Sequence, residues 1–342
     1  MTGIVMIFFQ IVIGGITRLT GSGLSITKWE IVTGTIPPLN EADWNQEFDL
    51  YKQTPQYQKI NEGMSLSEFK FIYFWEYFHR LWARLMGFVF IIPFAFFTIS
   101  GRLKGRLLKQ TVILFFLAAL VASFGWVMVA SGLIERPWVN TYKLTMHLSL
   151  AVITFLYLWF VFFNAGNVKR MNIGIRHRRI LAIIFILTAL QVILGGIVAG
   201  SKAALAFPSW PDMNGSYFPA VLFDGSAWNT DAFVHYDKNS LFPALVQFLH
   251  RNLAYLLALV IALWIYWTRD IKERSWRSSN ILLGSILLLQ IVLGILIVIN
   301  ALGGIPLWYG VLHQGVGILL ISTVFYQVYR VILREDVPIA AN

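Results

Sequence analysis

Apolar residues gather along the chain into eight stretches, near 2–17, 71–99, 110–133, 141–163, 180–200, 243–267, 279–301 and 307–329. Most reach the roughly 20 residues that cross a bilayer as a helix. The connections between them are polar, and only 18–70 and 201–242 are long. The pattern predicts an all-α polytopic membrane protein with eight transmembrane helices. The first stretch follows the initial Met with no charged leader and no small-residue cleavage site, so it reads as a span and not a removable signal.

The pattern repeats itself. Gln10-x-x-x-Gly14-Gly15-Ile16 returns as Gln191-x-x-x-Gly195-Gly196-Ile197, an offset of 181. The same offset relates Leu24 to Leu205, Trp29 to Trp210, Gly34 to Gly215 and Pro38 to Pro219. His79-Arg80 returns as His250-Arg251, Gly125 as Gly294 and His147 as His313. Matches in one order along both halves predict two tandem four-helix bundles, 1–170 and 171–342. An even number of spans separates equivalent helices. Both halves therefore enter the membrane in the same direction, with a pseudo-twofold along the membrane normal.

Composition agrees with the membrane reading. The chain is 57% apolar and 13% charged, where soluble domains run near 45–50% and about 25%. A net charge of +10 would ordinarily raise nucleic acid as a partner, but its distribution removes that need. The connections 100–109, 164–179 and 268–278 and the tail 330–342 hold 15 of the 27 Lys and Arg residues against 4 acids. The connections on the other side carry more acids than bases. The positive-inside rule then puts both termini in the cytoplasm and the two long loops outside. Those loops contain Trp, Pro and Gly, which suits caps folded over the bundle. No Arg- and Ser-rich segment precedes the first span, which favours a bacterial inner membrane over a mitochondrial one. With no cysteine in the chain, disulfides, thiolate metal sites, Fe–S clusters and cysteine nucleophiles are excluded.

Of six histidines, His177 falls in a basic connection and His235 in a long loop. The other four, His79, His147, His250 and His313, lie near the outer ends of spans two, four, six and eight. A lone histidine there is as readily a helix-end residue bonded to a carbonyl. Four in register across a repeat predict two pairs, each gripping one haem iron inside a helical bundle. Zinc fits less well, because two imidazoles leave its tetrahedral shell unfilled. Arg80 and Arg251 follow a predicted ligand and suit haem propionates, although interfacial snorkelling gives the same placement. Arg84 lies one turn beyond Arg80, on the same face, and its counterpart is Tyr255.

Glu76 distinguishes the halves. It precedes His79 by three residues and shares its helix face; the residue three before His250 is Gln247. A carboxylate beside one haem site can exchange protons with a reacting group, whereas Gln247 only hydrogen-bonds. The expectation is a first half that transforms its ligand and a second half that holds a redox haem. The alternative is a structural ion pair of Glu76 with Arg80 or Arg84. Gly14, Gly15, Gly195, Gly196 and Gly294 read mainly as sites of close helix packing. Thr20-Gly21-Ser22-Gly23 lacks the strand–helix context of a nucleotide loop.

The run Gly14-Gly15-Ile16-Thr17-Arg18-Leu19-Thr20-Gly21-Ser22-Gly23-Leu24-Ser25, with Trp29, Gly34, Pro37-Pro38 and Glu76-Tyr77-Phe78-His79-Arg80, resembles the haem A synthases, most closely the proteobacterial and mitochondrial type. Gly132, His147, His250-Arg251 and His313 fall where that family carries its motifs. The resemblance implies oxidation of a ring methyl of haem O to a formyl group, giving haem A for terminal oxidases, with water as oxygen source. It implies haem b on His250 and His313, the substrate haem at His79 and His147, and catalysis by Glu76. It implies as further partners a haem O synthase, oxidase assembly factors and an electron acceptor the sequence does not identify. Exposed Gly and aromatic faces permit a homo-oligomer. Cysteine pairs found in some branches are absent here. A diheme b-type electron-transfer protein and a haem transporter or chaperone share the histidines but leave Glu76 opposite Gln247 unexplained. A channel would spread polar groups along a path through the membrane.

Overall fold

The computed structural model describes residues 1–28, 33–133, 136–166 and 168–333. Trp29 and the end of the tail lie outside them. Helices α1 (Thr2–Leu19), α2 (Glu41–Lys52), α3 (Pro55–Lys59), α4 (Leu66–Ile99), α5 (Gly105–Gly132) and α6 (Thr141–Ala165) form the first half of the chain. Helices α7 (Ile175–Gly200), α8 (Thr230–Val234), α9 (Leu241–Trp267), α10 (Arg274–Ile299) and α11 (Leu307–Val328) form the second. Among the described residues no β-strand forms, and eight helices are long and apolar enough to cross a membrane: α1, α4–α7 and α9–α11. The protein is thus an all-helical, multi-pass membrane protein. In hydrocarbon such helices satisfy their own backbone groups, so segments of this length and apolarity have no other stable form.

The helices overrun the apolar stretches at their polar ends. Helix α4 starts at Leu66 because Ser65 and Glu68 form a reciprocal capping box, which satisfies two of the free N–H groups of the first turn. This extension is a platform for the first long loop. Phe48 and Tyr51 of α2 pack on Phe69, Ile72 and Tyr73 of α4, so the loop is a folded cap. Asn40 caps α2 and Thr54 caps α3 through their side-chain oxygens.

Three helix contacts hold the two halves together. Helix α6 packs on α7, α1 packs on α11 in the reciprocal manner, and α6 meets α11 between them. The seam is apolar, built from Ile4, Ile11, Val152, Phe155, Ile318, Ile321 and Phe325. Polar bonds also cross it: Arg18 Nη1 donates to Ala199 O (2.7 Å) and Gln314 Nε2 to Ile11 O (2.7 Å). Gly15 allows the second approach, since a β-carbon there would stand 2.6 Å from Gln314 Oε1.

The halves differ in closure. In the second, α7 packs on α9, α9 on α10, α10 on α11 and α11 back on α7. Its core runs through Leu181, Ile184, Leu257, Ile261, Trp264, Trp276, Leu283, Leu320 and Val324. In the first, α1 packs on α4 and α6, and α5 packs on α6, but α4 and α5 scarcely touch. Phe88, Ile92, Phe116 and Trp126 are exposed on these two helices. A polar lock fastens the second half at the end away from the long loops. Trp264 Nε1 donates to Gln327 Oε1, and Gln327 Nε2 reaches Ser279 and Asn280. Arg330, 1% exposed, donates to both oxygens of Glu273 at 2.7 and 2.8 Å.

Candidate functional site

Each of the four span histidines sits over a glycine of the transmembrane helix that precedes its own. A β-carbon on Gly14 of α1 would lie 3.1 Å from Cε1 of His79 on α4. One on Gly125 of α5 would lie 2.9 Å from Cε1 of His147 on α6. The same holds for Gly195 of α7 and His250 on α9 (3.3 Å) and for Gly294 of α10 and His313 on α11 (3.1 Å). Any larger residue would displace the ring. The chain therefore contains four equivalent stations, two in each half. Gly196, by contrast, serves helix packing, against Thr145.

The rings are oriented by hydrogen bonds from the glycine helices. His147 Nδ1 lies 3.0 Å from Val121 O, and His313 Nδ1 lies 3.1 Å from Gln290 O. A donor N–H there leaves Nε2 as the free, metal-binding nitrogen. Gln10 Nε2 donates to His79 O (3.2 Å) and lies 3.2 Å from both ring nitrogens. Gln191 Nε2 donates to His250 O at 3.0 Å.

His250 and His313 face one another with ring centres 6.5 Å apart and planes at 70°. Two metal–imidazole bonds of about 2 Å, with about 1.1 Å from each nitrogen to its ring centre, require about 6.2 Å. The donor set, its spacing and the glycine seats fit one iron held between two imidazoles. In the first half the equivalent stations are those of His79 and His147. Among the described residues no cluster of three or more His, Asp or Glu offers a rival metal site.

Glu76 is buried, 3% exposed. Its Oε2 accepts from Ser25 Oγ and from Ile26 N, both at 2.8 Å, and its Oε1 is ion-paired with Arg80. The structural pairing weighed from the sequence therefore forms, and it ties the first loop to α4. Arg80 also donates to Ile26 O and Lys28 O. In the second half Arg251 Nη2 donates to Phe207 O, the residue equivalent to Ile26, and Nη1 to Asp212 O. Gln247 Nε2 donates to Phe207 O, and Gln247 Oε1 has no partner among the described residues. Both arginines thus hold loop carbonyls. Arg80 and Arg84 additionally line a cavity of about 230 Å³, with Ile26, Lys28, Tyr73, Asp43 and Glu47 among its walls.

A family model described as cytochrome oxidase assembly protein, COX15-CtaA, matches residues 1–325. The chain belongs to this family. A protein of Flavobacterium psychrophilum named Heme A synthase is 38% identical over 338 residues, covering 96% of each chain. Heme A synthases of Pelagibacter ubique and Parvibaculum lavamentivorans are also 38% identical, each over 95% of this chain and over 93% and 91% of their own.

The sequence alone did not show that the glycines seat the histidines, nor the part played by Gln10, Gln191 and Gln290. A signal was present: Gln-x-x-x-Gly occurs at 10–14, 191–195 and 290–294. The third copy is less conspicuous because Ile295 stands where the other two have an adjacent second glycine, Gly15 and Gly196.

Proposed function

We propose that this chain is a haem A synthase, an oxidoreductase that converts a ring methyl of haem O to the formyl group of haem A for terminal oxidases. The observation that carries this is an unequal pair. Two matched histidine stations stand in each half, and among the described residues only the first half adds a buried carboxylate. The relatives' name and their cover of nearly the whole chain support it.

His79 and His147 bind and orient the iron of the substrate haem. His250 and His313 hold a resident haem b, with Arg251 and Gln247 fixing the loop above it. A haem at that second site supplies one-electron exchange. The overall step is R–CH3 + H2O → R–CHO + 4 H⁺ + 4 e⁻, with water as oxygen source and an external acceptor taking the electrons. Glu76 accepts a proton from the methyl-derived carbon or its oxygen adduct. Arg80 links that role to substrate binding. Its guanidinium lies on Glu76 and also lines the Arg84 cavity, so a propionate entering there competes with Glu76 for Arg80 and frees the carboxylate.

The loose α4–α5 seam supports lateral entry of haem O from the bilayer into the first half. The reciprocal packing of α6 on α7 and α1 on α11 is what a twofold between the halves 1–170 and 171–342 requires. The charge distribution supports cytoplasmic termini, and the bacterial sources of the similar proteins support a bacterial inner membrane. A haem O synthase upstream and oxidase assembly factors downstream are the partners the chemistry asks for.

The test is expression in a host that makes haem O but not haem A, followed by haem extraction and chromatography. Haem A in those membranes is expected. Its absence, with purified protein showing a low-spin b-type spectrum, would favour diheme electron transfer instead.

A further inference from the structure

The turn that follows α1 and the turn that follows α7 are built alike. Gly21 and Lys202 both take a positive φ, 69° and 54°. Ser25 N then donates to Ser22 O at 3.0 Å, and Ala206 N to Ala203 O at 3.1 Å. One residue on, Ile26 O and Phe207 O each accept from an arginine Nη2, of Arg80 at 3.2 Å and of Arg251 at 3.0 Å. These positions correspond at the offsets of 181 and 171 that relate the halves. The backbone frame is common to both, and the side chains set in it differ.

Two of those differences fall on one contact. Ser25 stands where the second half has Ala206, and Glu76 where it has Gln247. Ser25 is 1% exposed. Its hydroxyl lies 2.8 Å from Glu76 Oε2, against 3.4 Å from Ile72 O. In the second half Ala206 offers no donor, and the buried Gln247 Oε1 has no partner among the described residues. The hydroxyl accompanies the acid and is missing where the acid is missing.

The two carboxylate oxygens are used differently. Oε2 of Glu76 receives Ser25 Oγ and Ile26 N, both at 2.8 Å, while Oε1 meets Arg80. When a propionate draws Arg80 away, Oε1 is the oxygen whose lone pairs open. The two donors on Oε2 keep the group from rotating, so Oε1 stays where Arg80 left it. We infer, on the haem A synthase reading above, that Ser25 is a positioning residue whose hydroxyl fixes Glu76 so that Oε1 takes the proton released as the methyl is oxidised. Ser25 donates one hydrogen bond throughout and is neither oxidised nor deprotonated, so the balance of the overall step is unchanged.

The experiment expresses the full chain in the host that makes haem O but not haem A. It reads haem A formed per mole of protein with time, and haem O bound to the purified protein. Ser25→Ala should fold, because the same turn closes on Ala206 in the second half. It should lower haem A formation about 10–100-fold, the range for a hydrogen bond to a charged group, with haem O binding unchanged. Ser25→Thr, which restores a hydroxyl, should recover part of the rate. Adding Ser25→Ala to Glu76→Gln should cost nothing further. A wild-type rate in Ser25→Ala would overturn the inference. So would a matching fall in bound haem O, the mark of a loop anchor, or a full further loss in the double variant. Should Ser25→Ala misfold, Ser25→Cys, close in size and a weaker donor, decides by the same readings. A wild-type chain that forms no haem A would overturn the haem A synthase reading itself.

Discussion

A β-carbon on Gly125 would stand 2.9 Å from Cε1 of His147, closer than real β-carbons approach another atom. The glycine is therefore the floor of the ligand and not a helix-packing convenience. Gly125→Ala should push the His147 ring off its Val121 carbonyl bond. We expect substrate haem binding to fall several-fold while the second-half haem is kept. Absorbance per mole of protein, with chromatography of the extracted haems, checks this. Gly294→Ala, with its contact to His313 at 3.1 Å, should give the opposite loss.

Glu76 and Gln247 are near-isosteres in equivalent places, so Glu76→Gln should fold. The amide still accepts from Ser25 and Ile26 but loses the charge that Arg80 pairs with. Turnover of haem O should drop by about 10²–10⁴, the usual worth of a positioned acid or base. Near-normal haem A formation in this variant would show that the carboxylate is only a loop anchor.

The lock at the end away from the long loops predicts an acid effect. Hydrogen bonds from Ser275 and Arg330 hold Glu273 below its ordinary value of 4.5. A lowered carboxylate stabilises the fold above its unfolded value and loses that contribution as pH falls through its folded value. Thermal stability in detergent should therefore be flat from about pH 7 to about pH 5 and fall below that. Glu273→Gln should flatten the acid limb. The carboxylate side chain is 43% exposed, so solvent screening keeps the effect small. An identical acid limb in the variant would remove Glu273 from the lock.

Much of this architecture is legible in the amino-acid sequence. The apolar runs give the spans because the bilayer leaves a helix as the only form for them, and the offset of 181 displays the duplication. Several helices start before the apolar runs do. Helices α4, α7 and α10 begin at Leu66, Ile175 and Arg274, where polar residues extend them past the apolar core, with a side-chain capping box at α4. Closure was not legible, since α4–α5 and α9–α10 have similar apolar sequences yet only the second pair packs. At the site, the histidines and Glu76 stood out by repeat and by its breach. Arg80 and Arg251 were read towards propionates, and both hold loop carbonyls as well. A side chain with five donors can serve both ends, and spacing along a helix does not say which one it meets.

Division of labour between the halves is tested most directly by counting haems in two purified variants. His313→Ala should lose the b-type haem and retain the capacity to take up haem O. His147→Ala should keep the b-type haem with its low-spin spectrum and fail to hold haem O. Loss of the b-type haem from His147→Ala, with retention in His313→Ala, would contradict the assignment of substrate to the first half.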